Sequence, residues 1–332
     1  MRKIDEDKKY IVSKANELGF SNKSFLVTGA TGMIGRILVD VLRQLTSENR
    51  IYVLGLNLEE TNEVFKDTNV NKTSFDNLDS IGDVEIDYII HLASPTNSKF
   101  LKEKPVETID FIYSSTKKIL DFALNYNSIV LYISSMESYG EVFDEDTRGE
   151  KQLGYVDLTN TRSSYPETKR MCELLCYSFS QEYKLDVKCV RLAQTFGAGT
   201  IKSDPRIFGY LARCAINNEN IVLGTKGESY GNYCYIADTL TAFFYVLANG
   251  KSGETYNVVG DNCRCTILEL ANLVKTKIAN NKIDIEFNLS LVNQYPKPTK
   301  LNMDNKKIKS IGWASKYSLE DMFIRMVDSW KE

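Results

Sequence analysis

Ser24-Phe25-Leu26-Val27-Thr28-Gly29-Ala30-Thr31-Gly32-Met33-Ile34-Gly35 decides the fold. Ser24–Thr28 has the pattern of a buried strand. It runs straight into three spaced glycines and then into an apolar helix, Ile37–Leu45. Gly29 permits a tight turn, Gly32 lets backbone approach a pyrophosphate, and Gly35 lets helix and strand pack closely. The helix N-terminus adds N–H donors and the positive end of a dipole. A glycine string alone is a weak signal; strand before and helix after are the context that a phosphate cradle needs.

Outward from the cradle, strand patterns at Ile51–Leu54, Tyr88–Leu92, Ile129–Ile133 and Val187–Leu192 alternate with helical patterns at Thr108–Tyr126 and Tyr165–Tyr183. That alternation predicts an α/β fold with a parallel, doubly wound sheet. Residues 59–83 are polar, acidic and Asn-rich, and read as an irregular, solvated edge. Residues 1–22 carry Ile4, Ile11, Val12, Leu18 and Phe20, the spacing of a short amphipathic helix that packs on the main domain or on a second subunit. After Thr195 the pattern changes to short pieces. Helices are expected at Ile207–Ile216, Asp238–Ala248, Ile267–Lys277 and Leu319–Trp330, the last capped by Ser318. Strands are expected at Ile221–Leu223, Tyr233–Ile236 and Thr255–Val259. The expected organisation is a helical extension over 1–22, a dinucleotide-binding domain over 23–195, and a smaller α/β lobe over 196–332 with some segments returning to the first domain.

The 332 residues suffice for such an arrangement, and 43% hydrophobic with 26% charged residues is ordinary for a globular chain. A net charge of −3 gives no reason to expect nucleic acid or an anionic membrane as partner. No apolar run is long enough to span a bilayer, and the charged start MRKIDEDKKY lacks a signal peptide's apolar core, so a cytoplasmic protein is expected. The seven cysteines have no framework spacing; Cys172 and Cys176, four apart, read as core-facing thiols. His91 is the only histidine, which removes Ser–His–Asp catalysis and His-based zinc sites together. No metal is expected.

Two further segments carry chemistry. Ser134-Ser135-Met136-Glu137-Ser138-Tyr139-Gly140 ends the strand Ile129–Ile133, at the crevice where open α/β sheets bind ligands. The plainer account of Ser135 is a hydroxyl that satisfies its own backbone. Farther on, Tyr165-Pro166-Glu167-Thr168-Lys169 puts a phenol and an ammonium four residues apart on one helix face. A lysine there favours the phenolate, so the Tyr165 pKa is expected to fall. Such a tyrosine exchanges a proton with an alcohol oxygen while hydride moves at carbon. Glycine cradle, serine strand and tyrosine–lysine helix, in that order, favour the catalytic account of Ser135.

With TGATGMIG at Thr28–Gly35, HLASP at His91–Pro95, SSMESYG at Ser134–Gly140, YPETK at Tyr165–Lys169, RLAQTFGAG at Arg191–Gly199, YNVVG at Tyr256–Gly260 and IGW at Ile311–Trp313, the chain resembles the extended short-chain dehydrogenase/reductases. The branch is that of nucleotide-sugar epimerases, dehydratases and UDP-glucuronate decarboxylases, and the resemblance covers about residues 23–330. It implies a Rossmann-type fold, an NAD or NADP cofactor, a nucleotide-sugar substrate, and a homodimer built through the helices Thr108–Tyr126 and Tyr165–Tyr183. It implies Tyr165, Lys169, Ser135 and Glu137 as catalytic residues. Gly29, Thr31, Gly32, Met33, Ile34, Gly35, Arg36, Asn57, Leu92, Ala93, Ser94 and Lys169 would hold the cofactor. Ser94, Thr96, Ser135, Met136, Tyr165, Gln194, Arg206 and Lys300 would border the substrate, with Lys297 beside Lys300. His91 would shape the cofactor loop.

Cofactor choice stays open. Asn57 stands where an Asp or Glu would bind ribose hydroxyls; Arg36 suits a 2′-phosphate or is simply solvated, and Glu59 and Glu60 argue against that phosphate. Several departures bear on the reaction. Met136 replaces the acid that dehydratases carry beside Glu137. Gly231 stands where the decarboxylases have an arginine, with Arg162 and Arg206 as candidates to replace it. Ile112 replaces an asparagine that bends the central helix. The remaining core predicts a 4-keto reductase or epimerase acting at sugar C4. Dehydratase or decarboxylase chemistry is the alternative, and a non-catalytic dinucleotide sensor the alternative of another class.

Overall fold

The structure is a computed structural model that describes residues 2–82, 84–294 and 297–331, without the side chains of residues 79, 80, 291, 293 and 294. Helix α1 (Lys3–Glu17) leads to strand β1 (Phe25–Thr28), helix α2 (Met33–Leu45), β2 (Ile51–Gly55), α3 (Leu58–Val64), β3 (Asn71–Ser74) and β4 (Tyr88–His91). After α4 (Ser98–Glu103) and α5 (Pro105–Tyr126) come β5 (Ile129–Ser135) and α6 (Ser164–Tyr183). Strands Val187–Leu192 and Thr255–Val258 complete a seven-stranded sheet. From one edge its order is Thr255–Val258, Val187–Leu192, β5, β4, β1, β2, β3, all neighbours parallel. The order reverses beside β1, so the crevice between the ends of β1 and β4 is the switch point where this Rossmann-type architecture receives ligands.

Apolar runs explain the middle of the sheet. Phe25, Leu26 and Val27 are fully buried, as are Ile89 and Ile90 in β4, because helices cover both faces. The polar stretch 59–83 is not irregular: it supplies α3 and β3, the outermost strand. Asn57 caps α3 by accepting from Glu59 and Glu60 N–H, and the half-exposed edge strand NKTS needs no apolar run.

Helix α1 packs on α2 and on the helix Ile236–Asn249, and so belongs to the main body. Its anchor is Asp7, only 1% exposed. Arg325 donates to Asp7 at 2.7 Å, Tyr317 at 3.4 Å, and Tyr235 more closely still. Burial raises the Asp7 pKa, and these donors oppose the rise.

Past Leu192 the chain forms smaller units. Gln194–Phe196 pairs with Tyr230–Tyr235, and that strand pairs on its other side with Arg264–Thr266. The last helix runs Leu319–Ser329, with Ser318 and Asp321 forming a reciprocal capping box. Residues 147–148 pair with 302–303, and Lys300 N–H donates to Val142 O at 2.9 Å, so the long loop after β5 is knitted to the C-terminal segment.

Candidate active site

The β1–α2 turn is built by exclusion of side chains. Gly29 has φ +64°, and a Cβ there would meet Ala93 N at 2.8 Å and Leu92 C at 2.9 Å. A Cβ on Gly35 would meet Gly29 O at 2.5 Å and Ala30 Cα at 2.7 Å. Gly32 differs: a Cβ on it would meet only Gly29 O, at 3.4 Å. The first two glycines therefore serve packing, while the space at Gly32 is left for something outside the fold. Arg36 N–H is the first to bond back along α2, to Gly32 O at 2.9 Å. The N–H groups of Met33, Ile34 and Gly35 before it lie at the open helix end. Thr31 O accepts from Arg36 Nε at 2.6 Å, which folds the exposed arginine over the turn.

His91 holds this corner together. Its Nδ1 lies 2.7 Å from Thr28 Oγ1 and its Nε2 3.2 Å from Thr116 Oγ1, and Ala93 N–H donates to Thr28 Oγ1 at 3.1 Å. Burial, helped by the Lys169 charge, lowers its pKa to about 3. The imidazole is thus a neutral structural link.

Across the crevice, Tyr165 and Lys169 project from the first turns of α6, 6% and 2% exposed. The hydroxyls of Ser135 and Ser94 flank the phenol and draw its pKa down, but burial and the Glu137 carboxylate outweigh them and push it up to about 12. The fall expected from the Tyr–Lys spacing is therefore not found. Lys169 Nζ donates to Ile133 O at 2.8 Å, lies 5.8 Å from the Tyr165 ring centre, and is itself lowered to about 8 by burial. Spacing set the two residues on one face; desolvation, not their proximity, governs both protons. Ser94 Oγ is buried without a hydrogen bond of ordinary geometry among the described residues.

Ser135 ends β5 and accepts from Glu137 N–H at 3.2 Å, as the plainer account of a strand-end serine required; its hydroxyl nonetheless lies beside the phenol. The turn after it is braced by Arg170, which donates to Ser138 O at 2.6 Å and Gly154 O at 2.8 Å. Behind it, Arg191 and Glu173 form a buried pair at 2.6 Å. Glu137 meets a residue whose role spacing did not reveal: Arg162 Nη2 donates to its two oxygens at 2.7 and 3.0 Å.

The remaining candidates divide. Leu92 and Ala93 abut Gly29, Met136 sits half-buried between Ser135 and Glu137, and Thr96 is exposed past Ser94. Gln194 pairs in register with Tyr233. Asn57 spends its side chain on the α3 cap. Arg206 is held by Asp204 at 2.6 Å and lies over Phe208, and Lys300 pairs with Glu145 at 3.2 Å; neither touches the Tyr165 cluster. Lys297 is exposed. A Cβ at Gly231 would lie 2.3 Å from the Tyr233 hydroxyl, so the tyrosine fills that slot. Helix α5 runs unbroken past the buried Ile112, whose carbonyl accepts from Thr116 Oγ1 at 2.6 Å. Cys172 and Cys176 are buried. Among the described residues no cluster of metal-binding side chains occurs, and no helix is long and apolar enough to cross a membrane.

Residues 25–259 match the NAD dependent epimerase/dehydratase family. The chain belongs to that family. It is an NAD-dependent enzyme of the epimerase/dehydratase kind. Over 318 residues it is 28% identical to UDP-glucuronic acid decarboxylase 6 of Arabidopsis thaliana, covering 91% of this chain and 87% of the relative. Its fold is that of UDP-glucose 4-epimerase from Thermotoga maritima, with TM-score 0.79, 19% identity, and 93% and 98% of the two chains covered. It is likewise that of dTDP-glucose 4,6-dehydratase from Bacillus anthracis, with TM-score 0.73, 19% identity, and 93% and 96% covered.

Proposed function

We propose that this enzyme oxidises or reduces a nucleotide-linked sugar at C4, as a 4-keto reductase or epimerase. The observation that carries the proposal is the Tyr165 phenol with the Ser135 and Ser94 hydroxyls beside it and Lys169 one turn along α6. In reduction hydride adds to C4 and the Tyr165 phenol, kept protonated by burial, gives its proton to the C4 oxygen; oxidation is the reverse and starts from the phenolate. The cofactor, NAD or NADP, supplies the hydride acceptor or donor. The residues fit it: the turn lacks a side chain at Gly32, and the α2 N-terminus offers Met33, Ile34 and Gly35 N–H to a pyrophosphate. The choice between the two stays open: Asn57 brings no carboxylate against a 2′-phosphate and Arg36 lies exposed at the cradle, while the exposed Glu59 and Glu60 oppose that phosphate. Lys169 would hold the ribose, and Ser94, Thr96, Met136 and Gln194 would border the sugar. The relatives favour uridine as the base.

A second reading, C4 oxidation followed by loss of a sugar carboxylate, is favoured by the Arg162 cation found at Glu137. Dehydration is disfavoured because Met136 has no proton to give. A cytoplasmic homodimer belongs to the same proposal. Ile109 and Tyr113 on α5 and Met171, Leu174 and Tyr177 on α6 form an exposed apolar strip, 39–64% accessible, of the kind that a partner covers.

Tyr165→Phe tests the core of this reading. Dinucleotide binding should persist, and absorbance change at 340 nm with UDP-, dTDP-, CDP- and GDP-sugars should fall by ~100- to 10,000-fold. Full turnover in the Phe variant would refute the assignment, and dinucleotide binding without turnover in wild type would favour a non-catalytic dinucleotide sensor.

A further inference from the structure

The hydride step makes no use of the ion pair at the mouth of the site. Arg162 closes the long loop just before α6, its N–H held by Asn160 Oδ1 at 3.0 Å. Its guanidinium lies 5.7 Å from the Tyr165 ring centre and grips Glu137 through Nη2. The two side chains remain 29% and 41% exposed, so the pair faces the crevice rather than the core. Other cations around the phenol are engaged inside the fold. Lys169 is on Ile133 O, Arg170 on two backbone carbonyls, and Arg191 in its buried pair with Glu173.

A guanidinium fork matches any carboxylate, and a partly exposed ion pair is held weakly. Glu137 is therefore a replaceable occupant of Arg162. We propose that Arg162 is the carboxylate-binding residue of this site and Glu137 its built-in counter-ion. A carboxylate on the sugar takes Glu137's place on Arg162 and releases Glu137 toward the reacting face. A neutral sugar leaves the pair closed. Discrimination comes from the attraction of Arg162 for the sugar carboxylate, and the internal carboxylate moderates that affinity without acting on an uncharged ligand. The exchange rests on the nucleotide-sugar reading above and assigns it a substrate class, nucleotide-linked sugars bearing a carboxylate.

The test is calorimetric titration of the NAD-saturated protein with UDP-glucuronate and with UDP-glucose, which differ by a carboxylate for a hydroxymethyl group. Wild type should bind UDP-glucuronate more tightly. Arg162→Gln should weaken UDP-glucuronate by ~10- to 100-fold, the range for a charge-assisted contact, and leave UDP-glucose within about twofold, which also reports a folded site. Glu137→Gln removes the competitor and should tighten UDP-glucuronate by roughly threefold or more. Equal losses of both sugars in Arg162→Gln, or weaker UDP-glucuronate binding in Glu137→Gln, would overturn the exchange. Wild-type binding of both sugars without preference would overturn it while leaving the nucleotide-sugar reading intact. Binding of neither would refute the UDP-sugar reading and the exchange with it.

Discussion

Gly32 and Gly35 lie three residues apart in one motif, yet alanine should act on them in opposite ways. At Gly35 the added Cβ would stand 2.5 Å from Gly29 O and 2.8 Å from Ala30 O, both backbone atoms of the turn that α2 packs against. Neither atom yields by a rotamer change, so the helix must shift. Overpacking of this kind costs ~1–3 kcal/mol, and a backbone obstacle belongs at the upper end. At Gly32 the sole near contact is 3.4 Å, and the backbone, φ −72° and ψ 167°, is one that any L-residue adopts. Two small effects oppose each other there: alanine is a poorer N-cap than glycine, and it restricts the unfolded chain. The net change should stay within about 1 kcal/mol. Binding should show the reverse ranking, because the methyl at Gly32 points into the space proposed for the pyrophosphate. Thermal melts without ligand and calorimetry with NAD and NADP separate the two. Gly35→Ala should melt several degrees lower. Gly32→Ala should melt like wild type and lose dinucleotide affinity by ~100-fold or more, as expected when a charged group forfeits its backbone donors. Normal dinucleotide affinity in Gly32→Ala would place the phosphates elsewhere and refute the division of labour among these glycines.

Two other expectations are open to direct measurement. Burial raises the Asp238 carboxyl to about 7, with one oxygen accepting from Lys316 and Tyr317 N–H at 3.0 Å and the other unpartnered among the described residues. The folded state holds this proton more tightly than the unfolded chain, so the stabilisation is complete below about pH 4 and is lost as pH rises through about 7. Asp238→Asn should therefore gain stability over wild type at pH 8, with a ceiling of ~4 kcal/mol at 1.36 kcal/mol per unit, and lose more than half of that advantage at pH 5; a constant difference across denaturation curves at both pH values would exclude the titration of this carboxyl. Leu174, 64% exposed on the α5–α6 strip, should seat against a second copy, so Leu174→Glu should shift sedimentation from dimer to monomer, and a wild type that sediments as a monomer would remove the homodimer from the proposal.

The cradle was legible because its cause is local. Gly29 and Gly35 are glycines for reasons that lie within the turn itself and the strand beside it. The order of serine strand and tyrosine helix was legible for the same kind of reason, since neighbouring parallel strands bring their C-terminal ends to one crevice. Three matters were not. Residues 59–83 looked structureless because an edge strand, paired on one side only, needs no apolar run, and NKTS has none. Asp7 sat unnoticed in a charged opening segment, although its partners at 235, 317 and 325 make it one of the most buried carboxylates in the chain. The direction of the Tyr165 shift failed because spacing gives a neighbour and not a dielectric. Lys169 is close, but both groups are almost wholly buried, and removal of water dominates each.

The departures from the decarboxylase pattern are connected through space. An arginine at 231 has no room here, because the Tyr233 ring and hydroxyl occupy the volume beside Gly231, and the strand Tyr230–Tyr235 is fixed between two partners. Under the proposed carboxylate exchange, the cation comes from a different element. The loop over 141–162 reaches the site from the other side, and three contacts fix its course: residues 147–148 pair with 302–303, Lys300 binds Val142 O, and Arg170 binds Gly154 O. Arg162, at the end of that loop, is followed within three positions by Tyr165 on α6, so a cation at 162 is carried to the phenol by the same helix start that positions the phenol. Glu137 arrives from β5 at the only guanidinium, among the described residues, that lies against the Tyr165 ring. Absence of charge at 231 and presence of charge at 162 are thus compatible with one sheet and one tyrosine helix, which is the arrangement that the proposed carboxylate exchange requires.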